Sequence, residues 1–425
     1  MTAGSLRVAG ELTVPGDKSI SHRSLICSAL GEGTSQVRAI LQSADVHSTA
    51  GVLRALGVHI PPLAESITIT GVGLKGLRTP ERDLDCGNSG TSTRLLAGVV
   101  AGAGVTGRFI GDASLSGRPM RRIAKPLGAM GATVDLPPHG GLPMTVHGAP
   151  LKEIDFVNET GSAQVKSCVM LAALCAGVEA KISESPRSRD HTERMLASQG
   201  AEVWVNDEAV LLHPVQKLAP LDITVPGDPS SAAFFAALAA LAPDGELLLR
   251  RVCVNETRVG FLAALREMGA SIELQNRERL AGEWVADVHV AGGASLAGVS
   301  IGHEAIPTLI DELPLVACLA AYAQGETRVT GAAELRVKES DRIAVVVNNL
   351  RNLGADADEL PDGYVVRGTS PVLRGTVITH GDHRMAMAFG ILAALPGNEI
   401  AIDDRDCVAV SYPGFWSDLA RVTAA

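Results

Sequence analysis

The sequence predicts an α/β protein of two similar domains, each assembled from three repeats of helices and short strands. Three observations lead there. An apolar helical run stops at a glycine turn and a short strand follows, six times over. The turn glycines Gly33, Gly104, Gly177, Gly245, Gly325 and Gly397 recur about 70 residues apart. The phrase Thr13-Val14-Pro15-Gly16-Asp17 returns as Thr224-Val225-Pro226-Gly227-Asp228, each time leading into an apolar helix. Finally, one helix per repeat is apolar or small on every side, as in 232–241 and 385–395, and must be buried all round. The other carries charges, as in 258–268 and 341–353, and should lie half exposed.

A chain of 425 residues exceeds one ordinary core. The repeats place the first domain at 15–226 and the second at 1–14 with 227–425, the chain crossing between them near Pro15 and Pro226. A net charge of −10 argues against nucleic-acid or anionic-membrane surfaces, so any positive field must be local. The seven cysteines are scattered without metal or disulfide spacing, which suits reduced core thiols in the cytoplasm. No secretory-type apolar run opens the chain, and the longest apolar runs are too short to span a bilayer.

Taken in order, the starts of the buried helices carry the chemistry. The first has Lys18, Ser19 and Arg23 after a Pro-Gly turn, where helix dipole, free N–H groups and cations all favour an anion. The second has the polar turn 85–94, with Gly90 inside it, and the third Ser162, Ala163 and Gln164. The fourth has Ser230 and Ser231 without cations, the fifth Asp311 and Glu312, the sixth 381–384 ending in Arg384. Charged connecting segments supply Arg118, Arg189, Lys338, Glu339 and Arg342. The basic residues Arg121, Arg122 and Lys125 read as a solvated helix start. Asp311 sits between apolar residues, so burial should perturb it. His22, His191 and His383 read as hydrogen-bonding residues, since no spacing resembles a metal motif. Parallel stacking of like elements would aim these helix starts into one cleft between the domains, suited to a small polyanion.

The runs PGDKSISHR, GNSGTSTR, GDASLSGRPM, SAQVKS, SRDHTE, IDELP, LRVKESDR and GDHRMAM, in this order, resemble the 5-enolpyruvylshikimate-3-phosphate synthase family of enolpyruvyl transferases from end to end. The resemblance implies two domains of three βαβαββ-type repeats, an inside-out α/β barrel pair closing over its substrates. It implies transfer of the enolpyruvyl group of phosphoenolpyruvate to the 5-hydroxyl of shikimate 3-phosphate, in a monomer, with no metal or organic cofactor. By motif, shikimate 3-phosphate would be held by Lys18, Ser19, Arg23, Ser162, Ala163, Gln164, Arg189, Asp311 and Lys338. Phosphoenolpyruvate would be held by Lys18, Gly90, Arg118, Gln164, Arg342 and Arg384. Asp311 would be the base for the hydroxyl. Glu339 would protonate the methylene carbon, with Lys18 as the competing donor.

The pattern is departed from in places. Ala163 stands where many members have a serine, no tyrosine follows the SRDHTE run, and the lysine some members place before the Tyr412-Pro413 pair is missing. Arg189 and Lys166 resemble a subgroup associated with glyphosate tolerance, whereas Gly90 resembles the sensitive type, so sensitivity stays open. Two rival readings exist. One is UDP-N-acetylglucosamine enolpyruvyl transferase, which would need a cysteine in the loop 112–119 and Lys-Asn instead of Lys18-Ser19. The other is a catalytically silent polyanion-binding repeat protein, which would need neither Asp311 nor Glu339.

Overall fold

The computed structural model describes residues 6–159, 161–206 and 208–424; the remainder of the 1–14 segment assigned to the second domain lies outside them. The backbone divides into two compact units. One holds Gly16–Val225 with the short stretch Arg279–Glu283; the other holds the segment up to Pro15, Pro226–Glu278 and everything from Trp284 onward. The expectation from sequence left 279–283 with the second domain. In the structure this tip of the hairpin formed by strands Ser271–Leu280 and Glu283–Ala291 belongs with the first unit.

Both units repeat one plan. Each sheet starts from a parallel pair, which requires a helical crossover, and most add antiparallel strands. In the first unit the parallel pairs are Asp222–Thr224 with Glu32–Arg38, Leu84–Asp85 with Gly107–Ile110, and Ile154–Val157 with Ala180–Ser183. In the second they are Arg7–Leu12 with Asp244–Cys253, Ser300–Ile301 with Gly325–Val329, and Arg374–Val377 with Glu399–Ile402. The last of these stops at two strands among the described residues. The repeated TVPGD phrase has a clear place in this plan. Strand Arg7–Leu12 pairs in the second unit but leads into the first helix of the first unit. Strand Asp222–Thr224 does the reverse.

The helices separate into two kinds, as their sequences require. Lys18–Leu30, Gly90–Gly102 and Ala163–Ala176 are the inner helices of the first unit; Pro229–Leu241, Leu313–Ala320 and His383–Ala393 are those of the second. From Ile20 to Leu30 every residue of the first is buried, and from Val165 to Cys175 every residue of the third. Their opening residues, Lys18 and Ser19 or Ala163 and Gln164, reach solvent, as does Ala176 at the far end of the third. Outer helices such as Ala44–Ala55, Arg121–Met130, His191–Ser198 and Arg342–Leu353 present one apolar face.

Small residues set the distance between inner helices. Gly98 and Gly102 lie one turn apart on a single face of Gly90–Gly102. A Cβ added at Gly98 would stand 2.1 Å from the Cys168 carbonyl oxygen, and one at Gly102 would stand 2.1 Å from that of Ala172. The backbones of two inner helices therefore touch directly, which fixes the spacing of their amino ends as well. No helix among the described residues is long and apolar enough to cross a membrane. Replacing Gly98 by Ala should force these helices apart and cost about 1–3 kcal/mol of stability, the usual penalty of overpacking; a thermal melt in which G98A matches the wild type would refute the contact.

Candidate active site

Each unit gathers its share of the residues singled out above into one cluster. In the first unit the Lys18 ammonium lies 3.1 Å from Asp45 Oδ2, and Asp17 caps the same helix by accepting from the Ile20 N–H at 2.8 Å. One turn on, Arg23 is almost wholly buried. Its Nε donates to Thr192 Oγ1 at 2.7 Å, its Nη2 to Ser167 Oγ at 2.8 Å and its Nη1 to the Ser19 carbonyl at 3.1 Å. Burial lowers its pKa from an initially very high value, with Glu193 and Asp17 opposing and Arg189 adding to the decrease, so it remains a cation.

The second and third inner helices meet at their amino ends. Arg94 donates through Nη1 to Gln164 Oε1 at 2.5 Å, and Gln164 Nε2 donates to Thr91 Oγ1 at 2.9 Å. A Cβ at Gly90 would lie 3.1 Å from Arg94 Nη1 and 3.5 Å from Arg118 Nη1, so two guanidinium groups flank bare backbone there. Arg118 is held from behind by Asn88 Oδ1 at 2.6 Å and Ser114 Oγ at 3.3 Å. Its loop, expected to be irregular, contains a short helical turn Ala113–Ser116 capped by Asp112. Arg121 and Lys125 are exposed on the next helix. The first unit thus offers Lys18, Ser19, Arg23, Gly90, Arg118, Ser162, Ala163, Gln164 and Arg189 on adjoining helix starts and loops.

The second unit gathers the acids. Asp311, with 13% of its side chain exposed, faces three cations: Lys338 Nζ at 3.6 Å, Arg342 Nη1 at 3.3 Å and Arg384 Nη2 at 3.7 Å. Arg342 is buried and meets carboxylates through all of its nitrogens. Besides Asp311, Nη2 donates to Glu339 Oε2 at 2.7 Å, and Nε donates to Asp382 Oδ2 at 2.8 Å. A single guanidinium therefore bridges Asp311 and Glu339, the two acids expected to move protons. Loss of solvation lowers the pKa of Lys338, and the Asp311 carboxylate restores it only in part. For Asp382 burial pushes upward, but the Arg342 guanidinium outweighs it and holds the carboxyl below its ordinary 3.8.

Several members of these clusters escaped the sequence reading. Asp45 and Arg94 had no assigned role, and their partners lie 27 and 70 positions away. The fourth helix start, expected to lack a cation, has one: the buried Arg258 donates to Ser230 Oγ at 3.0 Å. It arrives from the following connection, where only its spacing before an outer helix could have marked it. Two of the three histidines make hydrogen bonds of this kind, His22 Nδ1 to Thr49 Oγ1 and His191 Nδ1 to Glu283 Oε1, each at 2.7 Å. No group of residues with metal-ligand geometry occurs among the described residues.

Six-repeat architecture and helix starts of this kind define an enolpyruvyl transferase fold. A solved enolpyruvyl transferase NikO from Streptomyces tendae shares it, with a TM-score of 0.78 over 99% of this chain and 96% of that one at 18% identity. The comparison with closer proteins is more specific. The model of the EPSP synthase (3-phosphoshikimate 1-carboxyvinyltransferase) family matches residues 2–419. The 3-phosphoshikimate 1-carboxyvinyltransferase of Persephonella marina is 48% identical over 98% of this chain and 97% of its own length. The EPSP synthase structure from Acinetobacter baumannii superposes with a TM-score of 0.87 at 41% identity, covering 99% of this chain and 96% of that one. The chain belongs to the EPSP synthase family.

Asp382 should be the structural keystone of the acidic cluster. Replacing it by Asn leaves Arg342 buried with one counter-charge fewer, a change that typically costs about 3–5 kcal/mol. Because its folded pKa is depressed, Asp382 contributes stability above pH 3.8 and loses it as acid protonates the folded carboxylate. Denaturation curves of D382N and wild type should therefore lie far apart at neutral pH and converge below about pH 4; a constant gap across this range would contradict the pairing.

Proposed function

We propose that the two clusters act on the same pair of substrates, with the residue roles given below; the reaction itself follows from the family. The chain carries out the reaction of its family, transferring the enolpyruvyl group of phosphoenolpyruvate to the 5-hydroxyl of shikimate 3-phosphate and releasing phosphate. The observation that carries the residue reading is Arg342. It bridges Asp311 and Glu339 and so presents a base and an acid in fixed relation.

In the first unit, Ser19, Arg23, Ser162, Ala163, Gln164 and Arg189 hold shikimate 3-phosphate, with Lys18 reaching both substrates. Gly90 and Arg118 grip phosphoenolpyruvate together with Gln164. Guanidinium forks and free helix N–H groups match phosphate and carboxylate alike. In the second unit, Lys338 and Asp311 contact shikimate 3-phosphate. Arg384 and Arg342 receive the carboxylate of phosphoenolpyruvate, which takes over one of the positions that protein carboxylates occupy on Arg342.

Asp311 then accepts the 5-hydroxyl proton as the oxygen bonds to C2 of phosphoenolpyruvate. The C2–C3 double bond delivers its electrons to a proton from Glu339 or Lys18 at C3. Elimination removes a proton from the resulting methyl group, restores the double bond and expels phosphate from C2. The surrounding cations stabilise the leaving phosphate without having to reorganise. The catalytic groups come from one chain, so a monomer suffices. Seven scattered cysteines, six of them buried, support a cytoplasmic setting.

Release of phosphate from phosphoenolpyruvate, with shikimate 3-phosphate and then UDP-N-acetylglucosamine as acceptor, tests the substrate pair. Turnover with only the former is the expected result. Asp311→Asn should lower kcat about 10²–10⁴-fold, the range for losing a general base, while calorimetry shows shikimate 3-phosphate binding within a few-fold of wild type. An equal loss of binding and rate would make Asp311 a binding residue instead.

A further inference from the structure

A buried charge cluster behind the shikimate 3-phosphate residues touches none of the reacting groups. Lys166 lies on the first turn of Ala163–Ala176, with its N–H donating to the Ser162 carbonyl at 3.1 Å. Its ammonium, 1% exposed, stands 2.5 Å from Glu184 Oε1 and 2.7 Å from Glu193 Oε1. Burial alone would lower the lysine's pKa, but Glu193 and Glu184 outweigh it, so the ammonium stays charged.

Glu184 uses both its oxygens. Oε1 accepts from the Ser188 N–H at 2.9 Å, and Oε2 accepts from Ser188 Oγ and from Asn158 Nδ2, each at 2.8 Å. Asn158 Nδ2 also reaches the Ser162 carbonyl at 3.2 Å. Glu193 sits next to Thr192, whose hydroxyl receives Arg23 Nε. One carboxylate thus ties together the turn before Ser162, the helix carrying Gln164 and the loop carrying Arg189. The second adds the helix that steers Arg23.

These are costly contacts to build for stability alone. Buried ion pairs often contribute no more than apolar residues of the same volume would, because desolvation offsets their attraction. What they supply is fixed geometry, and the three segments they fix are those that carry the acceptor's anion-binding groups. We propose that Lys166, Glu184 and Ser188 are positioning residues for the acceptor, setting the spacing between Ser162 and Arg189 to fit a phosphate monoester. This rests on the substrate reading above.

The test compares wild type with Lys166→Met, Ser188→Ala and the charge-balanced pair K166M/E184Q, measuring kcat and both KM values. The expected result is a rise in the KM for shikimate 3-phosphate of about tenfold in K166M and about threefold in S188A, equal to losses of roughly 1.4 and 0.65 kcal/mol. The KM for phosphoenolpyruvate should stay within about twofold and kcat within about threefold. The double variant should keep the raised KM. Its return to the wild-type value would place the effect in the electrostatic field and overturn positioning. Equal shifts in both KM values, or a fall in melting temperature with unchanged KM values, would also overturn it. If K166M does not fold, S188A, which removes only a hydroxyl, decides alone. Wild type that fails to turn over shikimate 3-phosphate refutes the substrate reading; wild type that turns over beside variants with unchanged KM refutes only this proposal.

Discussion

Helices buried along nearly their whole length impose the constraint on which the rest of this structure depends. A helix leaves its first N–H groups without partners, and in a dry interior each such group is costly. The inner helices therefore keep their amino ends at the polar edge of each unit, and four of the six cap them with a side chain. Asp17, Ser89, Asp228 and Asp382 accept from N–H groups two or three residues ahead. Those edges are also where an anion gains most from dipole and free donors. Stability and anion attraction place the same demand on the same helix ends.

The two units answer the accompanying charge problem differently. In the unit built on Gly16–Val225, the buried Arg23 is surrounded mainly by hydroxyl and carbonyl oxygens from Thr192, Ser167 and Ser19. Such partners orient a cation without neutralising it. In the other unit, Arg342 meets three carboxylates and Asp311 meets three cations. Mutual neutralisation there holds carboxylates and cations at set distances. A protein with a net charge of −10 can in this way carry strong local positive fields.

Tight backbone contact transmits this order. Gly98 and Gly102 put one inner helix against the carbonyls of the next, close enough that Gln164 on one reaches Thr91 and Arg94 on the other. The Lys166 cluster performs the same service for loops, which have no helical packing to hold them. Cys27, Cys168, Cys175 and Cys318 lie buried within inner helices. Burial pushes those of Cys27, Cys168 and Cys175 up to about 12, so they behave as small apolar groups.

The repeat pattern, the division into inner and outer helices and the polar character of the inner-helix starts were legible in the chain, because they depend on periodicity and on residues within a few positions of one another. Lys18, Arg23, Gly90, Gln164 and Asp311 could be picked out for the same reason: each stands at or just inside a helix start that local sequence defines. Partners brought in from elsewhere were not legible. Asp45 beside Lys18, Arg94 beside Gln164, Arg258 at the fourth helix start, and the bridge that Arg342 makes between Asp311 and Glu339 join residues from separate elements. Capping and amphipathicity are written locally, and the sequence alone determined them. Which charge faces which is set by how the repeats pack, and only the tertiary structure decided that.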